Sequence, residues 1–400
     1  MRRRVAVTGI GAVSALGIDT GELWDGICSA RCGIGPIETI PIDRLVVNIA
    51  AEVKNFDPAR YFEPRRLLKL DRVSQFALVA AGEAMASVPP YRDPSRCGVI
   101  LAAAMGQQTL ESSYSAFYGE SAKRLPPFTV PRSMPSAPAS QISIEFGLRG
   151  PSFAVASACA SGAHAIGLAF QMIRAGMLDL AVTGGSDAPI QPGFMKAWEA
   201  LRVLSQDHCR PFSRDRTGLV IGEGAGILVL EPWDDAVRRG AMIHAEIIGS
   251  GCSADAAELL APDVSGATAA IRNALNDSET SPDKIQYVNA HGTGTRVNDR
   301  SEVQALANVF GAGLKRLPVS SSKSMFGHCL NAAGALEAIV TVLALRESRL
   351  PPTIGFLEAD PECDIDCVAN KMRPAELEFA LSNSFAFGGL NAVLAFKSAA

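Results

Sequence analysis

The chain has 400 residues, 48% of them hydrophobic and 20% charged, with a net charge of −4. That is enough apolar material for a large core, in two domains or one large duplicated unit. The charge balance excludes the global basic signature of a nucleic-acid binder.

The opening MRRRVAVTGIGAVSALG has a basic start and an apolar run, but glycines interrupt the run and no cleavage site of a secretion signal follows. It reads instead as a first buried strand over residues 4–8 and then a glycine turn. Its G-I-G-A-V-S lacks the third glycine of a dinucleotide fingerprint, which argues against a nicotinamide site. Strands are expected further on at 98–102, 153–156, 180–183, 227–230, 287–289 and 393–396. Helices are expected at 71–86, 162–175, 266–275, 300–310 and 333–347. This alternation of short β-branched runs with alanine-rich periodic stretches predicts an α/β protein with largely buried sheets. The most apolar helix, around 331–345, carries Glu337 and is too short to span a bilayer. Nine cysteines are scattered without the pattern of a disulfide framework. Cys28 and Cys32, and Cys363 and Cys367, lack zinc-site spacing and a nearby histidine. Free thiols in a reducing cytoplasm are expected.

One internal repetition stands out. FAVASACASGAHAIGLAFQMIRAG reads as strand, turn and small-residue helix, and LPVSSSKSMFGHCLNAAGALEAIVTVLALRES reads the same way later in the chain. Lys323 falls near the place of Cys159. RRRVAVTGIGAVSA and IHAEIIGSGCSAD read as matching first strands. The repetition predicts two similar halves, 1–240 with Cys159 and 241–400 with the other polar motifs, and a site between them.

Cys159 sits where a strand becomes a helix. The thiolate is the nucleophilic form, and a helix N-terminus offers partial positive charge and free N–H groups. Ala158, Ala160, Ser161 and Gly162 leave room for a ligand carbonyl. An inert packed cysteine fits Cys97 or Cys252 better. Of five histidines, His291 and His328 lie in glycine-, threonine- and serine-rich segments. His164, His208 and His244 have no such setting, and His164 reads as a packing residue. Asp299, eight residues after His291, is placed to support it from behind. Lys323 lies in a tight serine-rich turn that suggests a buried cation. Gly388 and Gly389 permit a sharp turn at a strand end.

SACASGAHAI, VNAHGTGT, SSSKSMFGHCLNAAG and SNSFAFGG, in this order, resemble the motifs of β-ketoacyl-acyl carrier protein synthases of the thiolase-fold superfamily. The resemblance runs over nearly the whole chain. It implies a thiolase-like α/β fold, two similar βαβ-rich halves in α-β-α-β-α layers. Cys159 would take an acyl chain as a thioester, with the N–H groups of Cys159 and Phe387 as oxyanion hole. His291 and His328 would stabilise the enolate formed as malonyl-carrier protein loses CO2. Lys323 would organise the site through Glu337, with Asp299 in support, and Thr293 and Thr295 would contact the pantetheine arm. Ala386, Phe387, Gly388 and Gly389 would form the gating turn. Met105 would line the acyl tunnel. Arg65, Arg66 and Lys69, with Arg124 as a weaker candidate, would dock the acidic acyl carrier protein; a solvated helix face is the plainer alternative for all four. The family's chemistry implies no metal or redox cofactor. It also implies a cytoplasmic homodimer, or the active half of a heterodimer with a chain-length-factor-like subunit.

The chain departs from the housekeeping pattern. Ala386 stands where the gating loop of the elongation enzyme has glycine. Glu258-Leu259-Leu260 replaces a more polar stretch with a histidine. KAWEALRVLSQDHCRPFSRDRTG and LSNSFAFGGLNAVLAF resemble the specialised branch typified by rhizobial nodulation protein E. A specialised polyunsaturated acyl or polyketide substrate is therefore expected, with housekeeping fatty acid elongation as the alternative. A degradative thiolase would need a second cysteine near the C-terminus, where this tail has phenylalanines and glycines. A Cys-His-Asn enzyme is disfavoured because Asn331 follows His328 rather than replacing it. A non-catalytic chain-length factor would have lost the nucleophile.

Overall fold

The computed structural model describes residues 3–54, 56–103 and 106–399. Among these, ten strands join in one sheet. They are β1 (Val5–Val13), β2 (Cys97–Ala103), β3 (Ser152–Val155), β4 (Leu180–Asp187) and β5 (Gly224–Pro232). The remainder are β6 (Ala245–Ala254), β7 (Tyr287–Asn289), β8 (Val319–Ser320), β9 (Phe379–Ala386) and β10 (Leu390–Lys397). Five helices matter for the site: α1 (Arg72–Met85), α2 (Ser161–Arg174), α3 (Val264–Asp277), α4 (Arg296–Phe310) and α5 (Ala333–Glu347).

The strand order is β8-β7-β9-β10-β6-β1-β5-β4-β2-β3. Within each set of five, this is one permutation: third, second, fourth, fifth, first. Pair directions repeat as well. β3–β2 and β2–β4 are parallel, and β4–β5 and β5–β1 antiparallel. β8–β7 and β7–β9 are parallel, and β9–β10 and β10–β6 antiparallel. The two sets meet where Val5, Ala6 and Val7 pair with Ile247, Glu246 and Ala245.

Helices α2 and α5 pack on each other and on strands of both sets, forming a middle layer. Helix α1 covers the other face of the first set, and α3 the other face of the second, with α4 against it. Three apolar cores fill the spaces. The middle position explains the composition of α5. Every residue from Ala333 to Leu345 is buried, so the helix is apolar all round rather than on one stripe.

The first strand differs from expectation. It runs through its glycines to Val13 instead of turning after Thr8. The glycines serve close packing. A Cβ on Gly9 would stand 2.0 Å from the Ala84 carbonyl oxygen, and one on Gly11 1.9 Å from that of Ala80, so α1 lies almost directly on the strand. Strand β9 was not among the expected elements. It forms the hairpin with β10. All nine cysteines are free, and Cys252 is exposed rather than packed. No helix among the described residues is long and apolar enough to cross a membrane.

Candidate active site

The parallel strands of each set end on the same side as the polar motifs. Ligand sites of α/β proteins form beyond the carboxyl ends of such strands. β3 leads into a turn at Ala158–Ala160 and then α2; β7 leads to His291; β8 leads to Lys323 and His328; β9 ends in the turn at Phe387. Cys159, His291, His328, Ala386, Phe387, Gly389, Thr293 and Thr295 all line one cavity of about 450 Å³. Eight predicted residues from four segments thus converge. Among the described residues no carboxylate lines this cavity, and its charged lining residues are Arg202 and Arg296.

The cysteine turn is held by hydroxyls. Ser161 Oγ donates to the Ala158 carbonyl (2.6 Å) and accepts from Ser157 N (2.7 Å). Ala158 takes a left-handed φ of +49°, a strained position immediately before the thiol. Burial pushes the Cys159 thiol up to about 12, opposed by the positive charge of Lys323. The helix end expected to favour the thiolate does not offset this desolvation in the resting site. His164 is a packing residue, its Nδ1 near Ser157 Oγ and the Ala160 carbonyl.

The two imidazole rings stand edge to face, centroids 5.3 Å apart. Their protonation follows from their partners. Leu330 N–H points at His328 Nδ1 (3.3 Å), so that nitrogen accepts and Nε2 carries the hydrogen. His328 Nε2 has no partner among the described residues. Lys323 Nζ lies 3.3 Å from His291 Nδ1, and an ammonium can only donate, so His291 also carries its hydrogen on Nε2. Burial and the Lys323 charge hold both rings well below the usual histidine range, hence neutral.

Lys323 is fully buried behind His291. It donates to the His291 carbonyl (2.6 Å) and is ion-paired with Glu337. Burial pushes the Glu337 carboxyl up to about 7, against the pull of Lys323. Asp299 faces away from the rings. It accepts from Phe212 N (2.9 Å) and Gly294 N (3.2 Å), anchoring the turn that presents Thr293 and Thr295. The threonine hydroxyls are 2.9 Å apart.

Glu302 is the residue that sequence reasoning missed. Its carboxylate accepts from His291 N and Gly292 N (2.8 Å each) and from Asn383 Nδ2 (3.1 Å). It lies one helical turn after Asp299 on α4, so both acids face the same glycine-rich loop. That i, i+3 spacing beside a loop full of free amides was the available signal.

The turn at Phe387–Gly389, expected from the resemblance to gate the site, is latched. Gly388 and Gly389 take φ of +82° and +68°. Gly388 N donates to the Leu259 carbonyl (2.7 Å), and Asn391 Nδ2 to Asp255 Oδ1 (2.6 Å). Phe387 stacks on Trp198 at 6.0 Å. Leu259 and Leu260 line the cavity while 71% and 52% exposed, an apolar lip on its mouth. Below the thiol, Ile190, Met195, Trp198, Leu219, Ile221 and Leu330 form an apolar cluster with Cys159.

Arg65, Arg66 and Lys69 lie outside this cavity, on Pro64–Leu67 and the following turn. Arg65, Lys69 and Arg124 are exposed, but Arg66 is bonded to Glu145 at 2.5 Å. Met105 lies outside the described residues.

Comparison with known proteins agrees with the motifs. Residues 2–236 match the family "Beta-ketoacyl synthase, N-terminal domain" and residues 244–357 "Beta-ketoacyl synthase, C-terminal domain". Nodulation protein E of Rhizobium sp. (strain N33) is 46% identical over 99% of this chain and 100% of its own. 3-Oxoacyl-[acyl-carrier-protein] synthase 2 of Staphylococcus aureus (strain COL) is 40% identical over 99% and 98%. The solved ishigamide ketosynthase/chain length factor superposes with a TM-score of 0.95 at 34% identity, covering all of both chains. The chain belongs to the β-ketoacyl synthase family and is a condensing acyltransferase on a thiolase-like fold.

Proposed function

We propose that the enzyme joins malonyl-acyl carrier protein to an acyl chain held on Cys159, by decarboxylative Claisen condensation. The observation that carries this reading is the pair of neutral rings, each with Nδ1 accepting and its hydrogen on Nε2, beside a buried thiol in one cavity.

Cys159 Sγ attacks the acyl thioester, and the carrier thiol leaves with the proton. The N–H groups of Cys159 and Phe387 receive the oxyanion. Malonyl-carrier protein then enters, with Thr293 and Thr295 along its pantetheine arm. Its C–CO2 bond breaks, and the electron pair becomes an enolate whose oxygen the two Nε2–H groups hold. The enolate carbon attacks the Cys159 thioester, the thiolate leaves, and a β-ketoacyl chain two carbons longer remains on the carrier. Covalent capture divides one difficult step into two. The apolar cluster beside Cys159 accommodates the acyl chain.

The substrate belongs to a specialised pathway, a polyunsaturated acyl or polyketide chain. The similarity to nodulation protein E and the apolar lip of Leu259 and Leu260 support this. Arg65 and Lys69 receive the acidic carrier, with Arg124 in support. The chain divides near Gly240 into two duplicated halves, as the repeated strand order suggests. β3 is an open sheet edge with Ser152 and Phe153 exposed, which suits pairing with another strand. The partner is a second copy, or a chain-length factor of the kind joined to the ishigamide ketosynthase. The thiols suit a cytoplasmic setting.

Intact-protein mass spectrometry with a panel of acyl-carrier proteins tests this reading, with malonyl-carrier protein added second and Cys159→Ala as control. Loading on Cys159 and extension of mainly unsaturated chains is expected. Preference for long saturated chains would return the enzyme to housekeeping elongation. Loading at another cysteine would refute the nucleophile assignment.

A further inference from the structure

We infer that Asp187 and Asn331 form a clamp that positions His328, a role that rests on the reaction proposed above. Asp187 ends β4, is 1% exposed, and faces the turn between His328 and α5. Its Oδ2 accepts two hydrogen bonds from one residue, from Asn331 N at 3.1 Å and Asn331 Nδ2 at 2.7 Å. The backbone N–H of the adjacent Ala188 also bonds the carboxyl. A buried carboxyl whose only distant bonding partner here is Asn331 has a local task, since an unpaired buried acceptor is costly.

That neighbour follows the strained residue of the turn. Leu330 takes a φ of +45°, a region that non-glycine residues avoid. In this conformation its N–H reaches His328 Nδ1. Two outer residues hold the turn open on one side: Val220 O accepts from His328 N at 2.7 Å, and Gly222 N donates to the His328 carbonyl at 3.0 Å. On the other side the clamp is the polar tether. The backbone there is tightly seated. A Cβ on Gly185 would stand 2.4 Å from the Asn331 carbonyl oxygen, and one on Gly162 3.0 Å from it. Asn331 thus joins the end of β4, the start of the cysteine helix and the start of α5. The chain of effects runs from Asp187 to Asn331, to the Leu330 backbone, to His328 Nδ1, and so to the free Nε2–H that faces the substrate. Cys159 is reached by none of these hydrogen bonds, although the Asp187 charge raises its thiol, so the clamp bears on decarboxylation more than on acyl loading.

The test uses the purified full chain and four variants: Asp187→Ala, Asp187→Asn, Asn331→Ala and the double alanine. Three quantities are read: acyl loading on Cys159, CO2 release from malonyl-carrier protein, and the 15N signals of the His328 ring. Displacement of a reacting group by about 1 Å costs on the order of 10²-fold. Each single alanine should therefore slow CO2 release by at least about tenfold, with loading within about threefold of the parent. The double variant should be no slower than either single one, because both remove the same tether. Asp187→Asn keeps an acceptor oxygen and should restore most of the activity. The His328 Nδ1 signal should lose its hydrogen-bonded position in the alanine variants and keep it in Asp187→Asn. Unchanged CO2 release, or a parallel fall in loading and release, would overturn the clamp. If the parent loads acyl chains but releases no CO2, the proposed reaction fails, and the ring signals still decide the clamp. Should Asp187→Ala not fold, Asn331→Ala at its half-buried position carries the comparison.

Discussion

Replacing Lys323 separates two tasks that the ammonium performs. Its three contacts are Glu337, the His291 carbonyl and His291 Nδ1, and neither Lys323 nor Glu337 reaches solvent. Lys323→Met leaves the Glu337 carboxylate buried without its cation. Removing one partner of a buried pair costs about 3–5 kcal/mol. That is a large share of a total stability of roughly 5–15 kcal/mol. The deficit depends on pH. Glu337 is already pushed up to about 7 by burial, and loss of the cation raises it further. The penalty is full above that folded value, fades as the pH falls from there towards about 4.3, and is gone below it, where folded and unfolded forms are both protonated. Lys323→Met/Glu337→Leu replaces the pair with apolar side chains, an exchange that is often neutral or stabilising. Thermal melts should show a large loss in the single variant and recovery in the double. Activity should not recover. Without a donor at Nδ1, His291 no longer has its hydrogen fixed on Nε2, and loss of one such donor costs on the order of 10²–10³ in rate. CO2 release measured on both variants decides the matter. A double variant that is stable and active would show that Lys323 only neutralises Glu337.

The remaining expectations concern pH, the gating turn and carrier docking. Burial and the Lys323 charge depress both histidines, so neutral donors persist on acidification. The 15N ring signals of His291 and His328 should show no titration between about pH 8 and about 5.5, and a midpoint near 6.5 would refute the neutral-donor assignment. The same depression makes the fold lose stability below about pH 6.5, as the unfolded histidines take up protons that the folded ones refuse. Asp255→Ala removes the acceptor for Asn391 Nδ2 and Asp263 N. Amide exchange at Gly388 and Gly389 should quicken by about tenfold, and unchanged exchange would mean that the latch does not hold the turn. Arg65→Glu/Lys69→Glu should raise the KM for carrier protein and flatten its salt dependence. An unchanged KM would make these residues an ordinary solvated face. Arg66 is left out because Glu145 already engages it.

The site was legible because its chemistry is written in unusual local composition. His291 and His328 sit among glycines, threonines and serines, and Cys159 among alanines, where a packed core would have larger side chains. Helices such as α1 and α2 were legible from their period, since each buries one face. What remained hidden is non-local. Glycines in β1 read as a turn until the Ala80 and Ala84 carbonyls of α1 are seen against them. Glu302 looks like any helical acid until it meets the amides of His291 and Gly292, eleven and ten positions back along the chain. Asp187 and Asn331 are 144 positions apart, and only the approach of β4 to the His328 turn brings them together. The thiol's resting state also depends on burial, which a helix-terminus argument does not include.

The repeated strand order gives the site its logic. The third strand of each half ends in a turn that feeds a helix of the middle layer: β3 through Cys159 into α2, and β8 through Lys323 and His328 into α5. Because α2 and α5 pack on each other, the two turns are brought to one place. One turn carries Cys159, the proposed nucleophile, and its counterpart carries a cation, Lys323, that does not line the cavity but bonds a neighbouring ring. The second and fourth strands of the later half add His291 and the Phe387 turn, while the fourth strand of the earlier half adds Asp187. The repeated strand order thus supplies matched strand ends around one cavity, each bearing different residues. On the proposed reaction Cys159 accepts and releases an acyl chain, and its turn carries small side chains and opens to the cavity. The ring-bearing turns must not move, so their polar groups are bonded backward, into Glu302, Glu337 and Asp187. The carboxylates of Glu302, Glu337 and Asp187 therefore do not line the cavity, and on the proposed reaction an anionic enolate would meet N–H donors, threonine hydroxyls and two arginines.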